Sequence, residues 1–420
     1  MSLYKPGERY TVVFPRDGIA VLDGMVVFTE GSLAGEKAMI ELSSVSKRHA
    51  NAKIVELLSS SPERVTPVCE SYGVCGGCDL LHQSYQGQLK AKENAVLQAI
   101  ERIGKISDFD FLPICPSPEI FNYRNKTEFR LSGERYGYFA AASHDLVPVD
   151  GCAIASRVAV KAAIRYSDAA RKFCYNYGKI LTVRNNRKGE YGVIIDADCD
   201  DDVAGKTAEY IFSDNNCIGV LLRANGKNRL FGERGIYEDL CGKRFFVSHE
   251  AFFQINTAQT ENLYNTVSEF LSVNKNTVLL DAYCGVGTIG IVAASEAGAI
   301  IGIEANGNAV YDSRRNAELN GVKNARYIAG KCEEKYAECE KLGVNAVVCD
   351  PPRAGCGREF IDFLKRLMPG KIVYVSCDPA TLARDLSLLS DRFKTEKIKP
   401  FDMFPQTKHV ETVALMSLIG

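Results

Sequence analysis

No stretch of this 420-residue chain stays apolar for the roughly 18–20 residues that a membrane-crossing helix needs, so a membrane-spanning class is excluded. Its opening, MSLYKPGERYTVVFPRDG, lacks the unbroken apolar core of a secretory signal, and a cytoplasmic location is expected. Net charge is lacking as well: 51 Lys and Arg against 52 Asp and Glu leave −1. A polyanion partner is therefore not advertised globally, and any positive potential must be local. Repeats, coiled-coil heptads and low-complexity tracts are absent. The rest is ordinary for a soluble globular protein, 46% hydrophobic and 25% charged, with enough length for two or three domains. Cysteine is the exception. Fifteen of them without an export signal point to thiols, with ligation or catalysis at a few. Cys174, Cys199, Cys217, Cys241, Cys332 and Cys339 sit in no ligand-like spacing and are expected to be free or core thiols.

Residues 1–60 alternate short β-branched runs with glycine turns (YTVVFPRDG, IAVLDG, MVVFTEG), the pattern of a small antiparallel, OB-like barrel. SSSPERVTP reads as a linker. Residues 61–250 then form an expected central mixed α+β domain. It includes a helix of about 84–105, expected to pack on the domain that follows, and a hairpin around Asn186–Gly189. From 251 to 420, apolar runs of about five residues alternate with helical stretches, the signature of a Rossmann-like, doubly wound parallel sheet.

Four features of that last region fall at the carboxyl ends of its strands, where such sheets bind ligands. Gly285, Gly287 and Gly290 form G-x-G-x-x-G after a strand, a loop that lets backbone approach a ligand. Glu304 closes the next strand, where a carboxylate can accept both ribose hydroxyls of an adenosine; an exposed strand-end acid is the plain alternative. Asp350 precedes two prolines, which fix a rigid loop. Cys377 ends KIVYVSC. A thiolate there can add to an electron-poor ring carbon and leave again. Such chemistry on carbon 5 of uracil also needs a base to remove the ring proton, and Glu411, at the start of the final strand ETVALMSLI, is available. Seen alone, Glu411 could equally be a surface acid. His409 reads as a loop or core residue.

The set FFQIN, DAYCGVGTIG, DPPRAG, SCDPATLARDL and FPQTKHVETVAL resembles the RNA uracil-C5 methyltransferase family, and FNYRNKTEFR and CESYGVCGGC match as well. The resemblance implies S-adenosyl-L-methionine as methyl donor, Cys377 as nucleophile and Glu411 as general base. It implies cofactor contacts at Gln254, Tyr283, Gly285, Gly287, Thr288, Glu304 and Asp350; family members often carry asparagine where Thr288 stands. A monomer is expected, acting on RNA and not on a membrane. Ribosomal RNA of the 23S type is the preferred substrate, because the barrel and cysteine cluster go with that branch; transfer RNA is the alternative. A methyltransferase of small molecules or proteins leaves Cys377 and Glu411 without work, and a binding module with a relic pocket would not need them intact.

Cys69, Cys75 and Cys78 give C-x5-C-x2-C, with Cys152, or in competition Cys115, as a remote fourth ligand. Four thiolates suit zinc or an iron–sulfur cluster. Zinc ribbons usually offer two C-x2-C pairs, so three-plus-one favours [4Fe–4S], a pattern that a branch of the family shares. The N-terminal barrel resembles the TRAM domain of RNA-modifying enzymes. In FNYRNKTEFRLSGERYGYF, Arg124, Lys126 and Arg130 interleave with Tyr123, Phe129, Tyr136 and Tyr138, a candidate surface for phosphate contact and base stacking; a solvated hairpin face is the alternative. Phe252 is the further RNA-contact candidate.

Overall fold

The computed structural model describes residues 4–141, 143–198, 202–294 and 296–420. Two compact units emerge: Met1–Lys90 with Ala140–Ser143 and Gln406–Lys408, and Ala91–Phe139 with His144–Pro405 and His409–Gly420.

In the first unit, alternation of buried and exposed residues makes strands Arg9–Val13, Ile19–Leu22, Met25–Thr29, Lys37–Val45 and His49–Ser59. They form one sheet in the order first, fourth, fifth, third, second, with the third and fifth parallel and the other pairs antiparallel. Asp23 and Gly24 join the second and third with φ of 44° and 85°, the doubly left-handed pair that a two-residue hairpin requires. Val12, Phe14, Ala20, Val27, Ile40 and Leu42 fill its core. Glu36 is buried and accepts from Arg64 Nε at 2.5 Å and from the Leu33 N–H at 2.8 Å.

The second unit contains two large sheets. A seven-stranded one runs from Lys227–Gly232 through Cys217–Ala224, Tyr191–Ala197, Gly178–Asn185, Lys126–Ser132 and Arg135–Phe139 to Leu146–Pro148. The hairpin expected at Asn186–Gly189 is there, with Asn185 opposite Tyr191. Helices Arg157–Phe173 and Asp202–Phe212 contribute Ala162, Tyr166, Ala204 and Ala208 to the core of this sheet.

The eight-stranded sheet has the order Ala325–Ala329, Ala299–Glu304, Val278–Ala282, Ala346–Cys349, Lys371–Ser376, Glu411–Leu418, Phe393–Phe401, Asp110–Phe111. Its first five strands are parallel, and Glu411–Leu418 enters antiparallel beside Lys371–Ser376. Parallel strands covered on both faces need apolar residues at every position, which is why Ile372, Val373, Tyr374 and Val375 are all buried. The helix Tyr85–Ala99 continues into a π-helical turn, Ile100–Gly104, and Lys92 on it donates to Asp402 Oδ1 at 2.5 Å, both side chains buried. Among the described residues no helix is long and apolar enough to cross a membrane.

Candidate active site

The strand Val278–Ala282 runs out into Tyr283, Gly285 and Gly287, all left-handed, with φ of 61°, 53° and 82°. Glycine is required at 287, because an added Cβ would stand 2.9 Å from Tyr327 Oη. The loop is held by carboxylates on either side. Gly285 N–H donates to Glu304 Oε2 at 3.1 Å and Asn306 N–H to Glu304 Oε1 at 2.7 Å; Gly290 N–H donates to Asp281 Oδ2 at 2.9 Å. Burial, with the charges of Asp350 and Glu304, pushes Asp281 up to about 7. Thr288 Oγ1 lies 2.8 Å from Tyr264 Oη in the core, and Tyr283 Oη donates to Glu333 at 2.8 Å. A ligand in this loop therefore meets backbone and the Glu304 carboxylate first.

Asp350 follows the neighbouring strand, its N–H 3.4 Å from the Ala282 carbonyl, and its Oδ2 accepts from Gln254 Nε2 at 3.5 Å. Gln254 belongs to the segment before the helix Thr257–Leu271, which Asn256 caps by accepting from Gln259 N–H. Cys377 is the residue after Lys371–Ser376. Asp378 caps the next helix through Thr381 N–H at 2.8 Å, Pro379 starts it, and Ser376 Oγ bonds the Asp378 backbone, so the turn bearing the thiol is fixed on both sides. The antiparallel register ends with Ser376 opposite Thr412, so Cys377 and Glu411 each lie one residue beyond that pair, at the same end of the ladder, and the Glu411 charge acts on the Cys377 thiol.

The electrostatics follow. Burial pushes the Cys377 thiol up to about 11; Glu411 and Asp350 push it the same way, and Arg353 opposes them. Glu411, 2% exposed, is held well above the usual carboxylate range by burial and then by Asp350, again with Arg353 opposing. Asp350 is raised to about 7 by desolvation. A thiol and two carboxyls with one cation thus share a proton-rich pocket, an arrangement suited to moving a proton off a bound ring.

Sequence reasoning missed three residues. Arg353 supplies the cation; its Nη2 approaches His409 Nε2 at 3.5 Å, and its carbonyl accepts from Thr381 Oγ1 at 3.2 Å. The signal was its place directly after the two prolines. Asp281, an acid inside an otherwise apolar strand, ties down the glycine loop. Asn125 donates to the Gln254 carbonyl at 3.0 Å and so steadies the glutamine; nothing in its spacing marked it.

The RNA-contact candidates fare unevenly. Phe252 is 69% exposed, two residues before Gln254. Arg124 spends its Nε on the Lys126 carbonyl, 2.9 Å away, and Arg130 pairs with Glu128 at 2.7 Å and lies over the Phe139 ring. Lys126 is half-buried and pushed down to about 8 by burial and by Arg184. The stacking role expected of Tyr123, Phe129 and Tyr136 is corrected: all three are buried where no base can reach them, Phe129 on the inward face of its strand and Tyr123 in the preceding loop with its hydroxyl donating to the Pro405 carbonyl.

Cys69, Cys75 and Cys78 lie half-buried in the first unit and Cys152 half-buried in the second. Among the described residues no three His, Cys, Asp or Glu side chains are gathered closely enough to hold a metal ion. The donor types suit a cluster, but they are not drawn together around one centre. Cys115, the competitor, sits against the sheet edge, its N–H donating to the Pro400 carbonyl. Of the bland thiols, Cys217, Cys332 and Cys339 are buried and Cys174 exposed; Cys199 lies outside the described residues.

Fold and site together define an enzyme that binds a nucleoside-bearing cofactor at a parallel sheet edge, beside a half-buried thiol. Residues 84–418 match the family described as tRNA (uracil-5-)-methyltransferase. Across 99% of both chains the protein is 36% identical to an uncharacterized RNA methyltransferase of Caldanaerobacter subterraneus subsp. tengcongensis, and across 98% of both it is 34% identical to one of Listeria monocytogenes. A crystal structure of Pyrococcus abyssi tRNA (uracil-54, C5)-methyltransferase in complex with S-adenosyl-L-homocysteine is 28% identical, covering 97% of this chain and 99% of that one, with a TM-score of 0.78. The chain belongs to the S-adenosylmethionine-dependent RNA uracil-C5 methyltransferase family.

Proposed function

We propose that the chain methylates carbon 5 of a uridine in 23S-type ribosomal RNA, as a cytoplasmic monomer, with Cys377 as nucleophile and Glu411 as base. The observation that supports the chemistry is that Cys377 and Glu411 each lie one residue past the Ser376–Thr412 pair, with the Glu411 charge felt at the thiol. S-adenosyl-L-methionine supplies the methyl group; the glycine loop, Glu304, Tyr283, Thr288, Gln254 and Asp350 would hold it. The Cys377 thiolate adds to carbon 6 of the uracil, and the electron pair of the C5–C6 double bond makes carbon 5 nucleophilic. Carbon 5 takes the methyl group. Glu411 then removes the proton on carbon 5, the double bond re-forms, and the thiolate is expelled. Reaching the thiol requires the uridine to be unstacked, by base flipping or in a single strand.

The ribosomal preference rests on two features. The strand order of the first unit, with its single parallel pair, supports reading it as an OB-like barrel of the TRAM kind, suited to single-stranded RNA. The C-x5-C-x2-C spacing of Cys69, Cys75 and Cys78 supports a [4Fe–4S] cluster, a reading that rests on the sequence and not on the geometry. A transfer-RNA substrate is the second reading, favoured by the substrate of the Pyrococcus abyssi enzyme.

The test is to incubate the protein with tritiated cofactor and 5-fluorouridine-substituted rRNA or tRNA transcripts. Fluorine cannot leave as a proton, so a denaturation-resistant adduct accumulates on the true substrate. Cys377→Ala should abolish both adduct and methylation, at least about 10⁴-fold, and Glu411→Gln should trap an adduct on ordinary RNA. Uridine methylation surviving in Cys377→Ala rules the mechanism out.

A further inference from the structure

A cavity of about 480 Å³ in the second unit is lined by none of Gln254, Asp350, Cys377 and Glu411, and its size falls among the roughly 300–1,000 Å³ of ligand sites. Its walls are amide- and carboxylate-rich. Exposed Glu119 and Asn122 line it together with the buried side chains of Asn125, Asn185 and Glu238. Asn122 has a left-handed backbone (φ 54°), a conformation asparagine tolerates better than most residues, and its N–H is bonded to the Ala153 carbonyl.

A hydrogen-bond account shows what the cavity is missing. Asn185 is spent: its Oδ1 accepts from Ser156 Oγ and its Nδ2 donates to the Asn186 carbonyl. Asn125, 5% exposed, uses Nδ2 on the Gln254 carbonyl and on Thr257 Oγ1, but its Oδ1 has no partner among the described residues. Glu238, 2% exposed, receives only long contacts: Asp239 N–H at 3.2 Å, and Arg187 N–H and Thr257 Oγ1 at 3.5 Å each. Charge-assisted hydrogen bonds normally close to about 2.7–2.9 Å. Two buried acceptors thus stand under-satisfied on one cavity, a costly state unless a donor arrives. Burial raises Glu238 to about 7, consistent with a carboxyl lacking a strong partner.

We infer that this cavity takes a second unstacked nucleobase of the RNA substrate, one with an exocyclic amino group, whose N–H donors meet Glu238 and Asn125. Arg187, the cation in the wall, is engaged bidentately by Glu261, and Glu119 and Glu238 disfavour phosphate, so the base edge enters and the sugar–phosphate stays outside. Guanine, adenine and cytosine present such donors; uracil does not. The cavity is coupled to the reaction through Asn125, whose Nδ2 donates to the Gln254 carbonyl while its Oδ1 is left for the base. This deepens the RNA uracil-C5 reading and rests on it.

The full-length protein, saturated with S-adenosyl-L-homocysteine to block the adenosine site, is tested by equilibrium dialysis against two nucleoside pairs: guanosine with inosine, and adenosine with purine riboside. Members of each pair differ by one amino group. At least one amino-bearing nucleoside should bind about tenfold more tightly than its partner, and Glu238→Gln should erase that preference while leaving affinity for S-adenosyl-L-homocysteine intact. Asn122→Gly, which keeps the left-handed turn, provides a second variant and should weaken both members of the favoured pair. Equal binding within both pairs, or a preference that survives Glu238→Gln, overturns the inference. Failure of the underlying reading shows separately, as wild-type protein that transfers label to no RNA.

Discussion

The carboxyl edge of the eight-stranded sheet and the cysteine loop of the first unit both consist of reactive side chains drawn from scattered positions, yet only one of them is assembled. At the edge, Gln254, Asp350, Cys377 and Glu411 are held by the strand ladder, a helix cap and two prolines, so backbone structure sets their places. In the loop, Cys69, Cys75 and Cys78 are close in sequence but not gathered. The difference is in what does the positioning. A sheet places residues by backbone hydrogen bonds, whereas a metal site gains much of its order from the metal, since thiolates converge only when a cation offsets their repulsion.

That contrast can be broken at either end. The largest effect belongs to the edge. With the Cys377 thiol at about 11, its ionised fraction grows about tenfold per pH unit in the neutral range, and raised Glu411 must also lose its proton to act as base. kcat/KM for RNA should therefore climb at least about a hundredfold from about pH 6 to about pH 8, the thiol alone accounting for that much and Glu411 adding to it; a flat profile would mean that the pocket is not preset as described. In the loop, anaerobically purified protein should carry about four iron atoms per chain, with visible absorbance that fades in air. Cys75→Ser should lose the iron and about 2–3 kcal/mol of stability by thermal melting, and one zinc per chain instead would refute the cluster. The smallest effect tests a preset surface that no hydrogen bond fixes: Phe252→Ala should raise KM for RNA about tenfold with kcat little changed, the usual worth of one stacked base. An unchanged KM would remove Phe252 from the RNA path.

Legibility in the sequence follows the same division. The parallel sheet was readable because its strands are apolar at every position and its helices amphipathic, and the glycine loop because left-handed backbone demands glycine. Cys377 and Asp350 were readable as strand-end residues. Arg353 was not, since an exposed arginine after two prolines looks like any surface cation until the fold sets its charge near the thiol. Asn125 was hidden because its partner, the Gln254 carbonyl, lies 129 positions away. The aromatic strip misled for a specific reason: neighbours in a strand share the chain but not a face, so Phe129 went inward while Arg130 stayed at the surface, and Tyr123, in the loop before that strand, was buried as well.

The pairing of Lys371–Ser376 with Glu411–Leu418 has a consequence for folding. Glu411 rides on a strand that runs against the five parallel ones, so its carboxyl reaches the thiol's end of the sheet only when that antiparallel ladder closes in register. A slip of one residue there would turn Glu411 to the opposite face and, on the proposed mechanism, leave the substrate trapped on sulfur.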